Sequence, residues 1–90
     1  MIRVVVKILA HKEKLVELMS LLSRLESESR KEQGCVSYTL YQRPGEQERV
    51  FIFEEWASKE HLERHEATAH FTEIAPQLGN LTQETIIEKF

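Results

Sequence analysis

The stretch Cys35-Val-Ser-Tyr-Thr-Leu-Tyr-Gln-Arg-Pro-Gly-Glu-Gln-Glu-Arg-Val-Phe-Ile-Phe-Glu-Glu-Trp56 decides the fold. Cys35 to Gln42 alternates, with Val36, Tyr38 and Leu40 on one side and Cys35, Ser37, Thr39 and Tyr41 on the other, as a strand requires. Arg49 to Trp56 alternates again: Val50, Ile52, Glu54 and Trp56 point opposite to Phe51, Phe53 and Glu55. Between them Pro44-Gly45 and the polar Glu46-Gln47-Glu48 read as a hairpin connection.

Outward from this hairpin the period changes on both sides. Toward the N-terminus, Gly34 stops a helix that runs from Lys12 to about Glu32, whose stripe is Leu15, Leu18, Met19, Leu22 and Leu25. Before it, Ile2 to Ala10 is a strand with Ile2, Val4, Val6 and Ile8 on a fully apolar face. Toward the C-terminus, Ser58 is a good N-cap for a short helix, and Thr68 repeats the signal before His70-Phe71-Thr72-Glu73-Ile74-Ala75. Pro76 is expected to end or kink that second piece, since it lacks an N–H and crowds the carbonyl of Thr72. A last strand spans roughly Leu81 to Phe90.

The order β-α-β-β-α-β is an α+β, ferredoxin-like unit in which both helical segments lie on one face of a four-stranded antiparallel sheet. The 90 residues are read as one domain, because two would each be too small for a core of their own. A chain this short hides only about 60 to 65% of its unfolded surface, so it needs further support. The single cysteine, Cys35, excludes disulfides within the chain and any cysteine-rich zinc cluster. A second copy is the remaining support: the face without helices still presents Val5, Leu9, Phe51 and Phe53, a patch expected to be covered in a two-fold homodimer.

Lys and Arg number 12 against 15 Asp and Glu, and the net charge of −3 disfavours nucleic acid as a partner. Arg3 and Lys7 interrupt the apolar start, which therefore resembles neither a signal peptide nor a membrane span, and a cytoplasmic protein is expected.

Few side chains offer chemistry. His61 and His65 stand four apart on the expected helix, but His61-Leu-Glu-Arg-His65 lacks the zincin arrangement, and nothing fixes His70 or Glu66 as a third ligand, so no metal is expected. His65 and His70 suit acid–base work near neutral pH, and each also reads as a hydrogen-bonded histidine at a helix end. The strand parity of Tyr38 and Trp56 aims them between sheet and helices, as core or as flat walls for an aromatic ligand. Glu54 shares the parity of Trp56, where a carboxylate must be paired, functional or near a strand end. Cys35 reads as packing, and the scattered Gly34, Gly45 and Gly79 form no phosphate loop, so no nucleotide cofactor is expected.

Glu32-Gln-Gly-Cys-Val-Ser-Tyr38, Phe53-Glu-Glu-Trp56 and His61-Leu-Glu-Arg-His65-Glu-Ala-Thr-Ala-His-Phe71 together resemble the antibiotic-biosynthesis-monooxygenase domain family of the dimeric α/β-barrel superfamily. Its most specific element is Glu-x-Trp with a histidine nine residues on and a His-Phe pair shortly after. The resemblance implies a homodimer whose sheets pack together and, for some members, a monooxygenase that uses neither metal nor flavin. Such a protein oxidises a small aromatic polyphenol or hydroquinone with O2. By position, the resemblance implies His65, Trp56 and Tyr38 as catalytic groups and Ile52, Glu54, His70 and Phe71 around the substrate. Ile52 stands where the polyketide-oxidising members have a polar amide, and Leu62 where they have tyrosine, which leaves the substrate open. Strand one has no Asn and Ala75 stands at the axial-histidine position of the haem-degrading branch, which disfavours that activity. A non-redox binding or stress-related module, or an isomerase of a small carbonyl metabolite, is the alternative. Apolar walls with one or two proton-transfer groups favour oxidation, and a cluster of Arg or Lys favours the isomerase.

Overall fold

The computed structural model describes residues 1–90. Strand β1 (Ile2–Ala10) leads through a 3₁₀ turn (Lys12–Lys14) into α1 (Leu15–Arg30); β2 (Cys35–Arg43) and β3 (Glu46–Trp56) follow, then α2 (Lys59–Glu66), α3 (Ala69–Leu78) and β4 (Thr82–Lys89). The sheet order is β2-β3-β1-β4, antiparallel throughout. This is the ferredoxin-like βαββαβ arrangement expected from the strand and helix order.

Period decides what is buried. On β1, Val4, Val6, Ile8 and Ala10 turn to the helices, and on α1 Leu18, Leu22, Leu25 and Ser29 meet them at helical spacing. Val50, Ile52 and Trp56 of β3, Tyr38, Leu62, Ile74 and Leu81 complete the core. Truncating a fully buried Leu22 to alanine is a cavity-forming change of about 2–5 kcal/mol.

Three boundaries and one strand parity differ from the expectations of the sequence. The first turn of the expected Lys12–Glu32 helix is 3₁₀, since Lys14 supplies no side-chain cap at the start of α1. Glu46 to Glu48 belong to β3: with φ 77° at Gly45 the turn closes on two residues, and Arg43 pairs with Glu46 across it at 3.1 Å. Helix α3 passes through Pro76 to Leu78, because a proline this near the end forfeits one rung only. A bulge sets Cys35 and Ser37 opposite the adjacent Trp56 and Glu55. It expels Val36, 55% exposed, and turns Cys35 onto the core side with Tyr38, reversing the expected parity of both.

No helix is long and apolar enough to cross a membrane. The sheet face away from the helices carries Val5, Leu9, Tyr41, Phe51, Phe53 and Ile86 by register, with Tyr41 and Ile86 exposed. The ion pair Arg3–Glu55 borders this face, and Lys7, paired with Glu88, lies within it between Phe51 and Ile86.

Candidate active site

Two caps aim the histidines. Ser58 Oγ accepts from the His61 backbone N–H, starting α2. Thr68 Oγ1 donates to the His65 carbonyl at 2.7 Å and accepts from the Phe71 N–H, which ties the end of α2 to the start of α3. His65, in the last turn of α2, is thereby turned inward and is 2% exposed.

Around it the fold assembles residues far apart in sequence. Glu32, just beyond α1, accepts from His65 Nδ1 at 2.7 Å and from His70 Nε2 at 2.8 Å, both on Oε2. A carboxylate only accepts, so both nitrogens carry the hydrogen and Nε2 of neutral His65 is left with a lone pair. That Nε2 lies 4.0 Å from Glu54 Oε1, which accepts from Trp56 Nε1–H at 2.9 Å. The Trp56 ring lies 4.4 Å from the His65 ring, Phe71 meets it edge-on at 5.1 Å, and Tyr38 stands 5.9 Å away. Packed rings on three sides hold the imidazole.

Burial moves the two facing groups in opposite senses. It pushes Glu54 up to about 7, against the pull of the Trp56 hydrogen bond. It lowers His65 below 6.5, although the Glu32 carboxylate works the other way. At neutral pH His65 is therefore an unprotonated base beside a carboxyl group poised between its two forms. Burial also drives Tyr38 well above its ordinary 10 and Cys35 to about 11, so neither ionises at neutral pH.

A chamber of about 160 Å³ opens onto this pair. Its apolar wall is Val4, Val6, Leu62, Phe71 and Ile87, and its polar wall is Glu54, His65, Glu66 and Lys89. Of the seven residues singled out in the sequence, Glu54, His65 and Phe71 reach the chamber. Trp56 and Tyr38 stand behind His65, Ile52 lies in the core beneath the sheet, and His70 sits on the far side of Glu32. His61 does not join His65: its Nδ1 lies 2.7 Å from Ser58 Oγ, and its ring covers Gly34. Glu32, His65 and His70 bring three atoms of metal-ligand type within 4.8 Å of one another, and both rings lie within hydrogen-bond distance of one Glu32 oxygen. The Glu32 and Lys89 side chains carry no sequence pattern that marks them as part of the site; Glu32 stands only at the head of the family-like run Glu32–Tyr38.

Over residues 1–77 the sequence matches the family described as antibiotic biosynthesis monooxygenase, and the chain belongs to that family. At this level it is a monooxygenase-like protein. A conserved protein of Methanosarcina mazei Go1 is 38% identical with a TM-score of 0.93, covering 99% of this chain and 89% of that one. PA3566 of Pseudomonas aeruginosa is 28% identical with a TM-score of 0.92, covering 99% and 90%. YcnE of Bacillus subtilis (strain 168), provisionally named a monooxygenase, is 34% identical over 59 residues, which are 66% of this chain and 62% of YcnE.

Proposed function

We propose that the protein is a cofactor-independent monooxygenase or quinol oxidase acting on a small aromatic polyphenol or hydroquinone, and that it works in the cytoplasm as a homodimer joined through the sheet faces without helices. The observation that carries this reading is the chamber itself: an apolar hollow in which Nε2 of His65 and the Glu54 carboxyl, 4.0 Å apart, are the proton-transfer groups. A single lysine on its wall is no phosphate cluster, which favours oxidation over the isomerase reading.

In the proposed reaction His65 Nε2 takes the proton of a ring hydroxyl, and the phenolate passes one electron to O2. Superoxide and the ring radical combine at a ring carbon, and the peroxide takes a proton. Loss of water with that carbon's hydrogen leaves a quinone carbonyl holding the second oxygen atom. As a quinol oxidase the same site returns two electrons and two protons to O2 as hydrogen peroxide. Glu32 holds the base in its tautomer, Trp56 and Tyr38 hold its ring, and Glu54 exchanges protons with bound intermediates. Ile52, His70 and Phe71 shape the surroundings.

Oxygen uptake by metal-free protein with a panel of hydroquinones tests this. Uptake is expected from the wild type and its loss from His65→Ala and Trp56→Ala; no uptake, or undiminished uptake by both variants, counts against the assignment.

A further inference from the structure

Lys89 lies near the end of β4, opposite Val4 in the register with β1, and so projects on the helix side of the sheet. It is the one cation on the chamber wall, against the carboxyl groups of Glu54 and Glu66. It also lines a second hollow of about 350 Å³ between α2 and the chain end, reaching Lys59 and Phe90. The two hollows share Leu62, Glu66 and Lys89, which places the lysine on the wall common to both.

Its resting partner is weak. Nζ stands 3.5 Å from Glu66 Oε2, with the two side chains 53% and 41% exposed, an ion pair a ligand can displace at little cost. A phenol that gives its proton to His65 leaves a negative oxygen beside the imidazolium, in a chamber whose walls also carry the carboxyl groups of Glu54 and Glu66. A second cation, held at the wall, offsets those carboxyl groups and keeps the anion in place once the imidazolium passes its proton on.

We infer that Lys89 leaves Glu66 to bind the oxygen of the ionised substrate, which makes the ligand class of this chamber the phenols bound as phenolates. The inference rests on the proposed oxidation for its purpose, but not for its test. The step is a proton transfer from the phenol oxygen to His65 Nε2, with no change of oxidation state. Lys89 keeps its own protons and supplies charge and a hydrogen bond.

The probe is 4-nitrophenol, whose phenolate absorbs visibly, titrated with the protein between about pH 5 and 9, alongside the non-ionisable nitrobenzene. Wild-type protein is expected to bind the phenolate about 10-fold more tightly than the phenol, Lys89→Met to lose that preference and Lys89→Arg to keep it. Glu66→Gln, which frees the ammonium, should strengthen it. Nitrobenzene should bind wild type and Lys89→Met alike, which separates lost charge from a damaged chamber. Equal phenolate preference in wild type and Lys89→Met, or none in the wild type, overturns the inference. Oxygen uptake with hydroquinones is a separate readout, so a failure of the oxidation reading is distinguishable from a failure here.

Discussion

Nδ1 of His65 lies 2.7 Å from the Glu32 carboxylate, and this bond determines that the opposite nitrogen faces the chamber. An amide in place of the carboxylate can donate as well as accept, which frees the ring to take the other tautomer. Glu32→Gln is expected to lower kcat by about 10² to 10⁴-fold with KM little changed. Glu32→Asp should retain part of the activity, and the rate–pH profile of the Gln variant should shift on its acid limb. A Gln variant with wild-type turnover would count against the positioning role.

Stability should carry two opposed pH dependences. Glu54 is raised from 4.5 to about 7, so the folded protein binds this proton more tightly than the unfolded chain. Its contribution is complete below about pH 4.5 and is lost as pH rises through about 7. His65 is lowered from 6.5, so its contribution is present above that value and lost as pH falls through the folded pKa. Glu54→Gln is therefore expected to remove the decline on the way to neutrality and expose the acid-side loss. Urea midpoints at closely spaced pH values measure this, and parallel curves for the two proteins would contradict it.

Gly34 is held at φ +89°, and a Cβ there would overlap the His61 ring. Gly34→Ala is expected to destabilise by about 2–4 kcal/mol through a left-handed backbone and a steric clash. Adding His61→Ala should relieve the clash and leave the backbone cost. A double-mutant cycle by denaturant melts reads the difference, and strict additivity would refute the contact.

Phe53 lies at the centre of the uncovered sheet face, opposite Val5. If that face joins two copies, Phe53→Lys places an unpaired charge among Val5, Phe51 and Tyr41 of the interface without touching the helix-side core. Sedimentation should give the two-chain mass for wild type and the one-chain mass for the variant. A single-chain wild type at micromolar concentration ends the dimer proposal.

The fold was legible where the period was unbroken. Two-residue alternation in β1 and β3 placed Val4, Val6, Glu54 and Trp56 on one side, and the Leu18, Leu22 and Leu25 stripe supplied their cover. It failed at Val36, because a bulge leaves no composition signal and moves every earlier residue to the other face. The site was legible in part. Glu54 and Trp56 are neighbours along one strand, so their shared parity was enough to associate them. Glu32 joins His65 and His70 across 33 and 38 positions, and only the packing of α1 against the later helices brings it there. The four-residue spacing of His61 and His65 carries no shared site, because helical spacing reports a face and not a depth. The His61 ring meets Ser58 and Gly34 at the surface while His65 enters the interior.

Strand β4 is the sheet's outer edge on the β1 side, and it supplies Ile87 and Lys89 to the chamber. An edge strand is anchored on one side, and its amides exchange with solvent through local fraying far more readily than those of central β1 or β3. One wall of the chamber is thus also one of the sheet's two edges. A ligand held against that wall is expected to damp the breathing of the strand: saturating ligand should slow hydrogen exchange along Thr82–Lys89 before it alters exchange in the core.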